Sequence, residues 1–283
     1  MCDTLYHYCS IDSFKAIIET KTLRLGDMTK SNDKKEIFFL WDNLDRIIGT
    51  SDLNNDVVRD LFDLSTQKDC TQFMGVCVSE NGDEPYMWQA YAPAGVAIGF
   101  NKKKLEDWSQ RIRRLNNTIA YYDNSFNIEQ LSERASIFGR VEYYPNETIS
   151  DFIRKKISVN DDNAFKTMFE NSPFFKSDYW KQENEWRICI PIILGNDRTG
   201  VFELEEKEDI KRPRIIKKEY IDYNGSFKKA VCDVPFDIDM VESVTLSPNC
   251  DEKIVDIKSF LSSNDFGFMV DSVEYSSYEL LPF

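Results

Sequence analysis

The sequence predicts an α+β fold built around one mixed sheet. Apolar runs of strand length alternate irregularly with segments of helical periodicity, without strict βαβ order. No Gly-rich turn joins a strand to a helix, which argues against dinucleotide-binding and P-loop architectures. No Gly/Pro/Ser-rich linker divides the chain, so residues 1–283 read as a single domain.

Leu5 to Cys9 reads as a short strand. Ser10 is a helix cap, with Ile11, Phe14, Ile17 and Ile18 on one helical face behind it. Thr22 to Leu25 alternates as a second strand, and Gly26 to Lys35 is a polar loop. Helical periodicity returns over 36–48 and again over 51–70. Phe73 to Val78 is a nearly continuous apolar run of strand length, ended by the loop signal Ser79-Glu80-Asn81-Gly82-Asp83. Pro85 to Ala92 reads as a turn of helix and Gly95 to Phe100 as a strand. Residues 102–175 form a largely helical insertion, with helical patterns near 127–137 and 148–170 and a strand from Gly139 to Tyr144 between them. The core is then 1–101 and 176–283. Trp186 to Leu194 is strongly strand-like. Asp197 to Asp222 is charged and surface-facing. Val241 to Leu246 and Phe268 to Val270 are late strands, with a helix over Asp251 to Leu261 between them.

Composition narrows the function classes. The chain has 283 residues, 42% hydrophobic and 30% charged, with a net charge of −14. Such an acidic surface repels phosphate backbones and disfavours non-specific nucleic-acid binding. The seven cysteines are scattered, and none pair at C-x-x-C spacing, so neither a disulfide framework nor a zinc ribbon is expected. That usage fits a reducing cytoplasm. The N-terminus lacks a basic region followed by an apolar stretch, and no run approaches the roughly 18 apolar residues of a membrane span. A cytoplasmic protein is expected.

The chain has one histidine, His7, so poly-histidine metal sites are excluded and any His-dependent catalysis must use it. Four segments are dense in site-forming residues. Tyr6-His7-Tyr8 lies on the opening strand, where packed alternating aromatics are the plain alternative. Asn32-Asp33 with Glu36 reads first as a turn or cap. Ser79 to Gly95 brings Ser79, Tyr86, Trp88 and Tyr91 together; its aromatics either stack a planar ring or staple the loop onto the core. Glu183, Glu185 and Arg187 alternate on one face of a strand, with Trp186 and Ile188 on the other.

In order the motifs are L-Y-H-Y-C-S, L-R-L-G-D-x(4)-N-D-x-x-E, C-V-S-E, M-W-Q-A-Y-A-x-x-G-V-A-I-G-F, W-x-x-E-N-E-W-R, V-E-S-V-T-L-S-P-N-C and a terminal S-S-Y-E-L. Together they resemble a widespread prokaryotic domain-of-unknown-function family, DUF2971, over nearly the whole chain. The family usually has Asn-Asp-Pro where this chain has Asn32-Asp33-Lys34, and a His or Asn where this chain has Pro93-Ala94. The layout also resembles ADP-ribosyltransferases of the His-Tyr-Glu kind. That resemblance implies a mainly antiparallel split β-sheet flanked by helices. It implies NAD as substrate, no metal, and transfer of ADP-ribose to a protein, nucleic acid or water, in a toxin or phage-defence setting. It assigns His7, with neighbouring Tyr8, to the ribose and Tyr91 or Trp88 to nicotinamide stacking. Glu185 becomes the catalytic carboxylate, Ser79 a support for either Glu185 or the ribose, and Arg24 and Arg187 candidate pyrophosphate contacts. A carboxylate beside the ribose would stabilise the oxocarbenium-like charge that builds as the nicotinamide bond breaks. The alternatives are a nucleotide sensor that dispenses with Glu185, a protein-interaction module, and a metal-dependent nuclease using Asp33, Glu36, Glu183 and Glu185.

Overall fold

The computed structural model describes residues 3–30, 37–39, 43, 71–119, 138–145, 171–193, 216–223 and 227–278. It is a mixed α+β protein with a mainly antiparallel open sheet.

Strand β1, Thr4–Cys9, leads through Ser10 into α1, Ile11–Thr20. The Ser10 hydroxyl accepts the Ser13 N–H at 3.2 Å, as a cap should. Phe14, Ile17 and Ile18 are buried, and Lys21 ends the helix in a left-handed conformation. Strand β2, Thr22–Asp27, and β3, Thr71–Ser79, follow. Helix α2, Pro85–Tyr91, starts on Pro85, whose missing N–H costs nothing there. Next come β4, Val96–Asn101, and α3, Lys102–Ile119. Beyond them are β5, Phe138–Arg140; β6, Glu142–Tyr144; β7, Phe175–Ser177; and β8, Glu185–Ile193. The chain closes through β9, Ile216–Tyr223; β10, Phe227–Pro235; β11, Val241–Leu246; α4, Ile254–Ser263; and β12, Val273–Tyr275.

The large sheet runs β12-β11-β4-β1-β3-β2-β10-β9, with β8 alongside β3 and β5 alongside β8. Among the described strands, only β11–β12 is parallel within it, and the separate β6–β7 pair is also parallel. The sheet is split around β3. One side of β3 pairs along its whole length with β8, from Thr71–Ile193 to Ser79–Glu185. On its other side β2 pairs at Gly26–Gly75 and Asp27–Met74, while β1 pairs only at Tyr6–Ser79. The two strands joined by α1 therefore diverge opposite Val76 to Val78. Gly75 has no room for a side chain: a Cβ there would lie 2.6 Å from the Ile188 carbonyl and collide with the Met28 sulfur.

Strand alternation gives the sheet two distinct faces. One carries the main core: Leu5, Val76, Val78, Ile98, Ile188 and Ile190, closed over by Phe14, Trp108, Ile257 and Leu261 from the helices. The other carries a smaller apolar cluster of Tyr8, Met87, Trp88, Ala92 and Ala97.

Several expectations need correcting. Phe268 to Val270 belong to a 3-10 turn, Gly267–Ser272, and the last strand comes just after it. The charged stretch read as surface holds β9, paired with β10, because backbone pairing and not apolarity defines these strands. Residues 102–119 form one helix, and among its described side chains Leu105, Trp108 and Ser109 are buried. The strand read at Gly139 to Tyr144 is broken at Val141 into β5, which joins β8, and β6, which joins β7. Ile37 to Phe39 form a buried turn, and Asn43 donates to the Phe39 carbonyl at 2.7 Å; the remainder of the helices read at 36–48 and 51–70, and those near 127–137 and 148–170, lie outside the described residues.

Candidate functional site

The chain reaches β8 through a 3-10 turn, Asp178–Glu183, capped by the Ser177 hydroxyl on the Tyr179 N–H. Asn184 then takes a left-handed conformation, φ 43°, and turns the backbone into the strand. Glu185 and Arg187 share one strand face with Ser79 and Cys77, their partners on β3. That face is covered by the Ser172–Phe174 turn and by β7, so these charges are buried and do not face solvent.

Arg187 is 0% exposed, and its Nε and Nη2 donate to the two Glu185 oxygens at 2.6 and 2.9 Å. Its Nη1 donates to the Pro173 carbonyl at 2.6 Å. Lys176, from β7, places its ammonium 2.5 Å from Glu183 Oε2 and 3.3 Å from Glu185 Oε2. The Tyr91 hydroxyl, from the end of α2, donates to Glu183 Oε1 at 2.5 Å. Two supports hold the backbone of this turn. Ser79 Oγ donates to the Glu183 carbonyl at 2.7 Å, and the Glu185 N–H donates to the Tyr143 hydroxyl at 2.9 Å. The Trp180 ring centre lies 5.1 Å from the Lys176 ammonium.

Two carboxylates thus meet two cations with almost no water access, yet their environments diverge. Burial alone would push the Glu185 carboxyl up, but Arg187, then Lys176, outweigh it and hold it well below the usual carboxylate range. Glu183 is pushed up, chiefly by burial, against the opposing pull of Lys176 and with added repulsion from Glu185. Tyr91 is pushed up by burial and then by Glu183, so it stays a neutral donor. The two acids are driven apart: Glu185 is held in its ionised form, and Glu183 is shifted toward its protonated form. Glu185 already accepts from Arg187, Lys176 and the Cys77 side chain, whereas Glu183 accepts from two donors and keeps spare lone-pair capacity.

The structure sorts the residues singled out by the sequence. Glu185, Arg187, Ser79 and Tyr91 come together. Arg187 is spent on Glu185 and a backbone carbonyl, which takes it out of the pyrophosphate role. Trp88 is fully buried, its Nε1 donating to Asp83 at 2.7 Å and its ring meeting Tyr8 edge-on at 4.7 Å, so Tyr91, 44% exposed, is the one available platform of the two. Tyr8 staples the loop, donating to the Asn81 carbonyl at 2.8 Å and accepting the Glu84 N–H at 3.2 Å. Arg24 forms an exposed two-pronged pair with Asp233 at 2.7 and 2.8 Å, across β2–β10. Asn32, Asp33 and Glu36 lie outside the described residues.

His7 is not brought to this face. It pairs with Ile98, on the main-core side, whereas Tyr6 beside it pairs with Ser79 on the Glu185 side. Its Nδ1 lies 3.0 Å from the Cys77 carbonyl, in the stretch of β3 where β1 and β2 diverge. A carbonyl can only accept, so Nδ1 carries the proton and Nε2 keeps its lone pair. Burial lowers the imidazole pKa and favours this neutral form.

Sequence reasoning missed Lys176 and Tyr143; it read Glu183 on the strand face of Glu185 and Arg187, whereas it ends the preceding 3-10 turn, and gave it a role only in the metal-binding alternative. For Glu183 the signal was present in the Glu-Asn-Glu spacing. For Lys176 there was none.

Residues 87–188 match the family model described as protein of unknown function, DUF2971. The match supports the family resemblance drawn from the sequence, and the matched stretch runs from α2 to the start of β8. It contains Tyr91, Tyr143, Lys176, Glu183, Glu185 and Arg187, but neither His7 nor Arg24. No curated protein and no solved structure matches the chain. No helix among the described residues is long and apolar enough to cross a membrane.

Proposed function

We propose that the protein binds NAD and transfers its ADP-ribosyl group to an acceptor, with the Tyr91–Glu183–Lys176–Glu185 cluster at the reacting end. The observation that carries this reading is the divergence of two carboxylates around one lysine: Glu185 held ionised, Glu183 pushed up and incompletely paired. In the reaction the bond between ribose C1′ and the nicotinamide nitrogen breaks, and its electron pair leaves with nicotinamide. Positive charge builds on the sugar, and Glu183 faces it while accepting the 2′-hydroxyl. The acceptor's nucleophile forms the new bond to C1′ and gives up its proton, which Glu183 is placed to take. Glu185 fixes Lys176 and Arg187 and does not itself react. Tyr91 covers Glu183 until a ligand hydroxyl replaces its own, and its half-exposed ring is the stacking platform. His7 is given no part in this chemistry, because its side chain starts from the opposite strand face and its Nδ1 is engaged by the Cys77 carbonyl.

One observation favours a second reading. The complete pairing of Glu185 suits a nucleotide-sensing site without turnover equally well.

Purified protein, freed of metal by chelation and supplied with lysate as acceptor source, tests both. Nicotinamide release by the parent and its loss in Glu183→Gln and Tyr91→Phe support the transferase. Saturable NAD binding without release, surviving Glu183→Gln, identifies a sensor. Neither release nor binding overturns both readings.

A further inference from the structure

Asp83 gathers more hydrogen bonds than its place in a loop explains. It accepts Trp88 Nε1 at 2.7 Å, Ser276 Oγ at 2.6 Å, the Ser277 N–H at 2.7 Å and Ser277 Oγ at 2.7 Å. Three of the four donors come from the turn that follows β12, 193 and 194 residues away in sequence. That turn is itself tied down: the Ser276 N–H donates to the Leu246 carbonyl at 2.8 Å, and the Tyr278 N–H donates to Ser276 Oγ at 3.1 Å.

Helix α2 has seven residues, too short to be stable without tertiary help. Its help comes from Trp88, clasped by Asp83 at the indole nitrogen and by the Tyr8 ring at its edge. Tyr91 lies three residues further on, in the last turn of the same helix, and reaches Glu183 from there. Whatever fixes Trp88 therefore fixes the hydroxyl that covers Glu183.

We propose that Asp83 is a positioning residue for Tyr91, and that the C-terminal turn Ser276-Ser277-Tyr278 is the clamp that holds Asp83 in place. The carboxylate couples the end of the chain to the site through one tryptophan and one helical turn. Anything that draws the C-terminal turn away uncovers Glu183. This inference rests on the Tyr91–Glu183 contact and not on NAD chemistry, so it stands or falls separately from the transferase reading.

The test uses the full chain carrying Ser276→Ala with Ser277→Ala, and separately Asp83→Asn, in case one variant does not fold. Hydrogen exchange is followed at the α2 amides, whose internal bonds include Trp88 N–H to Glu84 and Ala92 N–H to Trp88. The expected result is exchange about ten- to a hundred-fold faster in α2, with β3 and β8 unchanged. Nitration of Tyr91 at about pH 8, followed by peptide mapping, should also be faster in each variant than in the parent, where its hydroxyl is held by Glu183. A purely structural loss would raise nitration at Tyr8 and Tyr143 as well. Unchanged α2 exchange, a rise shared equally by β3 and β8, or unmoved Tyr91 nitration overturns the proposal.

Discussion

Replacing Arg187 by leucine should cost about 3–5 kcal/mol of folding stability, the range for removing one partner of a buried ion pair. The structure shows where the cost arises. The side chain is 0% exposed, so the hydrogen bonds it makes to Glu185 and to the Pro173 carbonyl are not shared with bulk water. Leucine leaves the Pro173 carbonyl unpaired and leaves Glu185 with the Lys176 ammonium at 3.3 Å, which Glu183 already holds at 2.5 Å. Two carboxylates then share one cation in a site that water hardly reaches, and Glu185 must protonate or stay uncompensated. Urea unfolding followed by tryptophan fluorescence gives the number directly. A double variant, Arg187→Leu with Glu185→Leu, removes the orphaned charge as well and should recover most of the loss. The pH dependence carries a second signature. The folded-state pKa of Glu185 is depressed, so its stabilising contribution is present above its unfolded value, about 4.3, and is lost as pH falls toward the folded value. In Arg187→Leu that acid-side loss should shrink or reverse sign. A single variant costing under about 1 kcal/mol, or a double variant no better than the single, would refute the reasoning.

Glu183 should behave in the opposite sense. Its folded pKa is raised, so its contribution is greatest below the unfolded value and declines as pH rises through the folded one. Glu183→Gln should flatten that decline, measured as urea midpoints between about pH 4 and 8. His7, the single histidine, gives an unambiguous imidazole signal in proton NMR, and its titration midpoint should lie below the ordinary 6.5. A midpoint at or above that value contradicts the burial argument. Among the described cysteines, thiol mapping of the native protein should label exposed Cys77 first, partly exposed Cys250 more slowly, and buried Cys9 and Cys189 only on unfolding. Early labelling of Cys189 would mean that β8 is less covered than described.

Local sequence pattern read the core well and the charged elements poorly. Ser10 as a cap, the apolar strip of α1 and the apolar run of β3 all appear where their periodicity places them, because each is fixed by its own residues. Strands β9 and β10 escaped because Lys217-Lys218-Glu219 and Lys228-Lys229 carry no apolar alternation; they are strands through their pairing with each other and with β2. The site fell between these cases. Glu185 and Arg187 showed their shared face by period two, but not that the Ser172–Phe174 turn and β7 would cover it; Glu183, read on the same strand face, ends the 3-10 turn before the strand. Trp88 and Tyr91 were indistinguishable as two aromatics on one short helix until Asp83 and Tyr8 claimed the first. Period two also set which neighbours share the His7 face, yet only the single long-range pair Tyr6–Ser79 decides that this face is not that of Glu185.

Energetics helps to separate function from fold at this cluster. A buried group of two acids and two bases is rarely the most stable filling for its volume, since apolar residues of similar size often do as well or better. The main core of this protein is apolar, and Ile188 and Ile190 show β8 supplying ordinary packing on its other face. Stability alone therefore does not account for Glu183, Glu185, Lys176 and Arg187 meeting here. The double variant proposed above turns this into a measurement. If Arg187→Leu with Glu185→Leu folds near the parent's stability but loses NAD binding or turnover, the charges serve a ligand. If it folds and keeps both, the cluster is a structural pairing, and the reacting group lies with Glu183 and Tyr91 alone.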